Sequence, residues 1–428
     1  MDQKNIWYFH HYATPETMSG MSRPSSFGKH LQKAGHRITV FAASFMHYSG
    51  ENLIAGRELY VTNHDTEVPF VFVRTRGYAN SGKARMYNMI QFCINLQKTA
   101  RRYAREDGRP DVIIASSPHP LTLLAGIRVA KHFGIPCICE IRDFWPEVFF
   151  FGGRLKKNSL LGRLLLAGER WIYRHADGLV FLKEGDVNYL HENGWDSDSP
   201  HGDIPLSKCH YINNGIDFDK FRGDIADCIF ADPDLETPKF RIIYTGAIRP
   251  VNNIDNILDA AKLLRDYPDI EFLVYGNGNL VDAMKERIER EEIGNVKMKG
   301  AVPKKYIPYI LSRSSVNLLN YSATEYNWNR GNSSNKLFEY MASGKPVIST
   351  VQMGYCIIRK YECGISVREC TPAGLAEAIL TIRALSEAEY RRYCENALFG
   401  ARQFDFGTLT EQLLKVIEQV SSKEKGKR

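Results

Sequence analysis

Short apolar runs alternate with helical patterns along this chain, and the alternation runs through twice. Ile6-Trp7-Tyr8-Phe9 is the first such run. A loop rich in Pro, Ser and Gly follows over residues 14–26. Phe27, Leu31 and Ala34 then recur at helical spacing, with Gly35 placed to cap that helix. Ile38-Thr39-Val40-Phe41, Asp111-Val112-Ile113-Ile114-Ala115, Ile135-Pro136-Cys137-Ile138-Cys139 and Leu179-Val180-Phe181-Leu182 continue the series, with a helical pattern over 121–133. Alternation of this kind specifies an α/β fold, a parallel sheet with helices on both faces. Asp, Pro, Ser and Gly concentrate at 194–208 and 222–240, which puts a linker between 200 and 239. Beyond it the pattern restarts with Arg241-Ile242-Ile243-Tyr244, Glu271-Phe272-Leu273-Val274-Tyr275, Val316-Asn317-Leu318-Leu319 and Pro346-Val347-Ile348-Ser349. A chain of 428 residues is long enough for two cores. The expectation is two α/β domains with a cleft between them, 1–206 and 207–404. An amphipathic helix within about 405–428 is placed to pack back on the first.

The apolar fraction of 44% and charged fraction of 25% are those of an ordinary globular chain. No apolar run reaches the roughly 18–20 residues that span a bilayer. The N-terminus lacks the basic and apolar regions of a signal peptide. Nine scattered cysteines without a Cys-x-x-Cys pair read as reduced thiols and no metal. A cytoplasmic location is expected. The net charge of +7 is uneven: residues 1–210 hold 26 Lys plus Arg against 20 Asp plus Glu, while the remainder is nearly balanced. A basic first half suits a phosphorylated ligand or an anionic membrane face. Two segments mix basic and apolar residues in a way that fits peripheral membrane contact. One runs from Phe149 through Lys156, Lys157, Leu160, Leu161, Arg163 and Leu164 to Trp171; the other holds Arg74, Arg76, Lys83, Arg85 and residues 87–92. A core helix with a basic outer face is the competing reading of each. Nucleic acid is not an expected partner, because no basic helix carries aromatic stacking residues.

The stretch 334–348 holds the most chemistry. Ser333 or Ser334 can cap a helix whose buried stripe is Leu337, Phe338 and Met341, and which Gly344 and Pro346 end. Free N–H groups at Ser334, Asn335 and the following residues, backed by the helix dipole, suit a phosphate. Lys336 adds a charge, and Glu339 lies one turn on, where a carboxylate can accept from ribose hydroxyls. The competing reading is a surface Lys–Glu pair worth about 0.3–0.5 kcal/mol. A second constellation, Tyr244-Thr245-Gly246-Ala247-Ile248-Arg249-Pro250-Val251-Asn252-Asn253, is again strand, loop and helix start. Arg249 there can reach a diphosphate bidentately, or simply be solvated.

These motifs, with Ile212-Asn213-Asn214-Gly215-Ile216-Asp217, Leu273-Val274-Tyr275-Gly276-Asn277-Gly278, the 300–303 loop and Gly344-Lys345-Pro346-Val347-Ile348, occur in an order that closely resembles glycosyltransferase family 4. Ala34-Gly35-His36-Arg37-Ile38-Thr39-Val40, Ser116-Ser117-Pro118-His119-Pro120 and Glu140-Ile141-Arg142-Asp143-Phe144-Trp145-Pro146-Glu147 resemble, in particular, members that build capsule, O-antigen and other surface polysaccharides. The resemblance implies the GT-B fold, two facing Rossmann-like domains, and retaining transfer from a nucleotide-diphosphate sugar, most naturally a UDP-sugar, with no metal or other cofactor. The donor would bind at Gly246, Arg249, Asn252, Gly276, Val302, Ser334, Asn335, Lys336, Leu337 and Glu339. The acceptor, a glycan or a polyprenyl-diphosphate-linked sugar, would meet Gly20, Arg23, His119 and Arg142. Lys336 and Arg249 would stabilise the leaving diphosphate, with Asp143 on the acceptor side.

The chain also departs from the pattern. Members commonly carry a sugar-contacting Glu where this chain has Gly331, and Arg and Lys where it has Ala247 and Asn252. Glu325 is a candidate replacement. A nucleotide-sugar epimerase of the same architecture and, from the incomplete Gly276-x-Gly278-x-x-Val281, an NAD-dependent oxidoreductase are the rivals. Asp196-x-Asp198 reads as a solvated turn rather than a metal motif.

Overall fold

The computed structural model describes the chain except for Met1, Thr17, Ser19, Asn80, Ser81, Gly152, Arg154, residues 324–327 and 426–428, and the side chains of 423–425. It divides into two compact units: Met1–Leu182 with Asp186–Asn213 and Leu409–Arg428, and Lys183–Gly185 with Asn214–Thr408.

The first unit is built on eight strands: β1 (Asn5–His10), β2 (Arg37–Ala43), β3 (Tyr60–Asn63), β4 (Phe70–Val73), β5 (Val112–Ser116), β6 (Cys137–Ile141), β7 (Gly178–Phe181) and β8 (Cys209–Tyr211). Their order is β3-β4-β2-β1-β5-β6-β7-β8, parallel except for the antiparallel β3–β4 pair. Every residue of β1 is buried, as a central strand covered on both faces requires. Trp7 and Phe9 pack with Phe41 at ring distances of 4.9 and 5.0 Å, and Tyr103 of the helix Gly82–Glu106 closes on Trp7 at 5.7 Å. The helix Phe406–Lys425 reaches this sheet through Val416 and Val420, which lie against Gly178 of β7.

The second unit has six parallel strands: β9 (Phe240–Thr245), β10 (Ile270–Tyr275), β11 (Val296–Gly300), β12 (Val316–Leu319), β13 (Val347–Ser349) and β14 (Gly364–Ser366), in the order β11-β10-β9-β12-β13-β14. Its core packs Ile254, Ile257, Leu258 and Ala261 of the helix Ile254–Leu263 onto Ile242, Tyr244, Phe272 and Val274.

The boundary differs from the one at 206/207 because β8 hydrogen-bonds to β7, pairing Phe181 with Tyr211, so the first sheet extends through that stretch. The strands absent from the sequence reading, β3, β4, β8, β11 and β14, lie at or next to sheet edges. All five have only three to five residues, too few to carry a period. Among the described residues no helix is long and apolar enough to cross a membrane. In each sheet the direction of winding reverses once: at β1/β5 in the first, where β1 also pairs β2, and at β9/β12 in the second. Crevices at the carboxyl ends of such strands are where open α/β sheets bind ligands.

Candidate functional site

The carboxyl ends of β9 and β12 meet the helix Asn335–Ala342. Leu337, Phe338 and Met341 are fully buried, so its inner face is fixed by packing. Tyr340 pins it to β9: its hydroxyl donates to the Thr245 carbonyl at 3.0 Å and accepts from the Thr245 N–H at 3.1 Å. Ser334 is the N-cap residue, yet its hydroxyl makes no capping bond, unlike Asp217, Thr371 and Ser386, which cap their own helices. The Leu337 N–H turns back to the Ser334 carbonyl at 3.1 Å, while those of Asn335 and Lys336 are left, among the described residues, for another acceptor.

Lys336 lies half-buried in that turn. Its Nζ donates to the Tyr244 hydroxyl at 3.1 Å, which donates onward to Ala247 O at 2.8 Å, and it sits 4.8 Å from the Tyr244 ring centre and 5.6 Å from that of Tyr321. With its amide nitrogen on Ala247 O at 2.8 Å, Asn252 turns its oxygen to Lys336 Nζ at 3.3 Å. Burial lowers the Lys336 pKa to about 8, while Glu339 pulls it the other way. Burial raises Glu339 above the usual carboxylate range, against the charges of Lys304 and Lys336. Its carboxylate has no ion-pair partner among the described residues.

The glycines at these strand ends are sterically required. Gly246 has φ +147°, and a Cβ there would fall 2.5 Å from Lys336 Nζ; at Gly276, φ +154°, it would fall 1.8 Å from the Gly246 carbonyl oxygen. The two loops therefore touch backbone to backbone. Asn320, buried beyond β12, donates to the carbonyls of Asn252 and Asn253 and holds that turn. Neither Asn320 nor Tyr340 carries a signal in the sequence, because both act through contacts more than 60 residues away. Val302 is half-buried in the loop after β11, Asn335 is exposed, and Arg249 is exposed on the loop after β9 without an ion-pair partner among the described residues. Gly331 has φ +104°, a conformation costly for any side-chain-bearing residue. Glu325 lies outside the described residues.

In the first unit, Arg23 is buried. Its guanidinium pairs with Glu140 (Nε 3.0 Å, Nη2 2.8 Å) and donates to the carbonyls of Ile212, at 2.9 Å, and Asn213. Glu140 also accepts from Ser116 Oγ at 2.6 Å and Tyr8 at 3.1 Å. Burial alone would raise this carboxyl, but Arg23 and Arg142 hold it at about 2. Arg142 extends from the end of β6, its backbone N–H on Ser117 Oγ at 2.9 Å and its guanidinium 3.9 Å from Glu140. Asp143 beside it is half-buried, and Gly20 is exposed. His119, the N-cap residue of the helix Pro120–Phe133, is fully buried, with Nε2 2.7 Å from His11 Nδ1.

Asp196 corrects the solvated-turn reading in part: it is 1% exposed and accepts from the Asp198 N–H and Ser199 hydroxyl, while Ser197 and Asp198 are exposed, so the two aspartates form a turn and not an open ligand pair. The helix Leu160–His175 buries Ile172 and Tyr173 but leaves Leu160 88%, Leu161 54% and Leu164 66% exposed, beside exposed Lys156, Lys157 and Arg163. Met86, Tyr87, Ile90 and Ile94 form a second exposed apolar stripe, on the helix Gly82–Glu106.

Comparison with known proteins bears on this geometry. Residues 23–201 match the glycosyl transferase 4-like domain, and residues 227–398 match glycosyl transferases group 1. The chain is 24% identical over 278 residues, 65% of its length, to the probable glycosyltransferase WbjE of Pseudomonas aeruginosa. It is 25% identical over 228 residues, 51% of its length, to TuaH of Bacillus subtilis (strain 168), named as a teichuronic acid biosynthesis glycosyltransferase. It spans 65% and 53% of those two relatives. The structure of Anabaena Alr3699/HepE in complex with UDP superposes with a TM-score of 0.68 at 14% identity, covering 97% of this chain and all of that one. Two matched domains in this order, on two parallel-sheet units of shared fold, show that the chain belongs to the family 4 glycosyltransferases, with the GT-B fold.

Proposed function

We propose that the protein transfers a sugar from a nucleotide diphosphate, most naturally UDP, to a glycan acceptor of a surface polysaccharide, with retention at the anomeric carbon. The observation that carries the reading is the Lys336 ammonium held beside an uncapped helix start at the β9/β12 switch point. The N–H groups and the ammonium would stabilise charge as it develops on the leaving diphosphate, without calling on a metal ion. Arg249 has room to join them. Glu339, one turn on and free of ion pairs, is suited to accept from ribose hydroxyls. UDP bound to HepE and the names of WbjE and TuaH support donor class and setting.

A thermal-shift screen of nucleotides tests the donor. UDP or its sugars should stabilise the protein and NAD should not; the reverse sinks the reading. Conversion of the donor sugar without an acceptor product would instead favour an epimerase. Glu339→Gln should weaken nucleotide binding several-fold and lower kcat little, measured by titration and initial rates. An unaffected nucleotide affinity would return Glu339 to a packing role.

The acceptor in this reading is polyprenyl-diphosphate-linked, and the exposed leucines flanked by lysine and arginine are its route to the membrane. A helix that keeps Leu160, Leu161 and Leu164 in water beside three cations gains apolar burial and Coulomb energy together on an anionic surface. Co-flotation with phosphatidylglycerol vesicles at low salt is the expected outcome, reduced at least about fivefold in Leu160→Glu/Leu164→Glu. Equal flotation of both proteins would reject this surface.

A further inference from the structure

The first unit's switch point holds a chain of three buried side chains that begins far from it in sequence. Asn88 of the helix Gly82–Glu106 donates through Nδ2 to the Arg76 carbonyl at 2.6 Å. A carbonyl can only accept, so the amide nitrogen faces it and Oδ1 faces the other way, 2.7 Å from His11 Nε2. That oxygen can only accept, so the proton of His11 is on Nε2. His11 Nδ1 in turn lies 2.7 Å from His119 Nε2.

The next step depends on charge. Asn88, His11 and His119 are all at most 1% exposed, and burial holds His11 well below and His119 at about 3, with the nearby cation Arg85 acting the same way. Both rings are neutral near pH 7. A neutral His11 protonated on Nε2 has a bare Nδ1, so His119 must supply the proton of the shared bond from its own Nε2. One amide orientation thus sets two tautomers, and the last consequence falls on His119 Nδ1, which is buried, bare and without a hydrogen-bond partner. A dry, unpaired acceptor costs stability, and it recovers that cost only from a group that brings a proton. A sugar hydroxyl does so; an ionised phosphate oxygen, itself only an acceptor, cannot.

We propose that Asn88 and His11 are positioning residues that lock His119 in its Nε2–H form, so that its Nδ1 accepts from a hydroxyl of the sugar ligand and rejects an ionised oxyanion oxygen. This rests on the glycosyl-transfer reading for the identity of the ligand, though not for the tautomers.

The test is long-range 1H–15N correlation on the full chain labelled at histidine, with His119→Gln to assign the resonances. The expected wild-type pattern at pH 7 is a protonated Nε2 and a bare Nδ1 on both His11 and His119. A protonated His119 Nδ1 overturns the proposal, and this measurement needs no variant that must fold. Asn88→Leu removes the acceptor and should leave both rings as tautomer mixtures; an unchanged pattern in Asn88→Leu also overturns the proposal. Free hexoses in a panel should move the His119 Nδ1 resonance while sulfate, an oxyanion with no O–H at pH 7, does not. A response to sulfate alone, or to none of the hexoses, overturns the ligand assignment. If no nucleotide sugar stabilises the protein, the transferase reading fails separately while the tautomer pattern still stands or falls by itself.

Discussion

Lys336→Ala is expected to lower turnover about a hundredfold, in the range that follows loss of one donor to a developing oxyanion. The side chain has few other duties: among the described residues its Nζ bonds reach only Tyr244 and Asn252, and both keep a hydrogen bond to Ala247 without it. The fold should therefore survive, and initial rates with nucleotide affinity alongside will separate chemistry from binding. Near-normal turnover would remove Lys336 from the mechanism. A second signature follows from its burial. With a pKa lowered to about 8, the ammonium is charged below that pH and lost above it. The profile of kcat/KM, which reports the free enzyme, should fall on an alkaline limb near pH 8. A bound diphosphate favours the ammonium, so the same limb in kcat should lie higher. Both limbs should vanish in Lys336→Ala.

The largest effect on stability is expected at Arg23. Arg23→Met leaves Glu140 charged, 2% exposed and with only the more distant Arg142 for compensation. Removing one partner of a buried ion pair costs about 3–5 kcal/mol, and the residual Arg142 places this one toward 3. The native Glu140 pKa of about 2 is below its unfolded value, so the pair's contribution is fully present above about pH 4.5 and is lost as pH falls toward 2. The gap between wild type and Arg23→Met in denaturant melts should be widest near neutrality and should narrow in acid. Arg23→Met/Glu140→Gln should be less destabilised than the single variant, since no orphan charge remains. A pH-independent gap would mean that Arg23 works through packing on Phe27, 4.6 Å from its guanidinium, rather than through charge.

Arg23 shows why part of the site was not legible in the sequence. It follows a glycine loop in a segment that resembles the family's ligand-facing opening, and it was expected there as an acceptor contact. Its guanidinium instead ties the helix Arg23–Lys33 to β6 and to the carbonyls of Ile212 and Asn213, partners more than 100 residues away. Nothing local distinguishes an arginine bound to substrate from one bound to a buried glutamate. Lys336 and Glu339 were legible for the opposite reason. Their proposed roles follow from positions in one helix, whose start, buried stripe and glycine end are spaced by the helical period itself.

The same division separates the two levels of the molecule. Strand–helix alternation, read from apolar periods and turn residues, determined two parallel α/β units, because both periods are properties of neighbouring residues. The sequence also determined that glycine stands at 246, 276 and 331. Tertiary structure decided what those glycines are for: one clears Lys336, one clears the Gly246 carbonyl, and one takes a φ of +104° where a side chain would be strained. It also decided that β8 joins the first sheet, that Asn320 holds the turn at Asn252 and Asn253, and that Asn88 meets His11, 77 residues away. Each of those is a hydrogen bond between segments distant in the chain, and direction and distance across space leave no trace in local spacing.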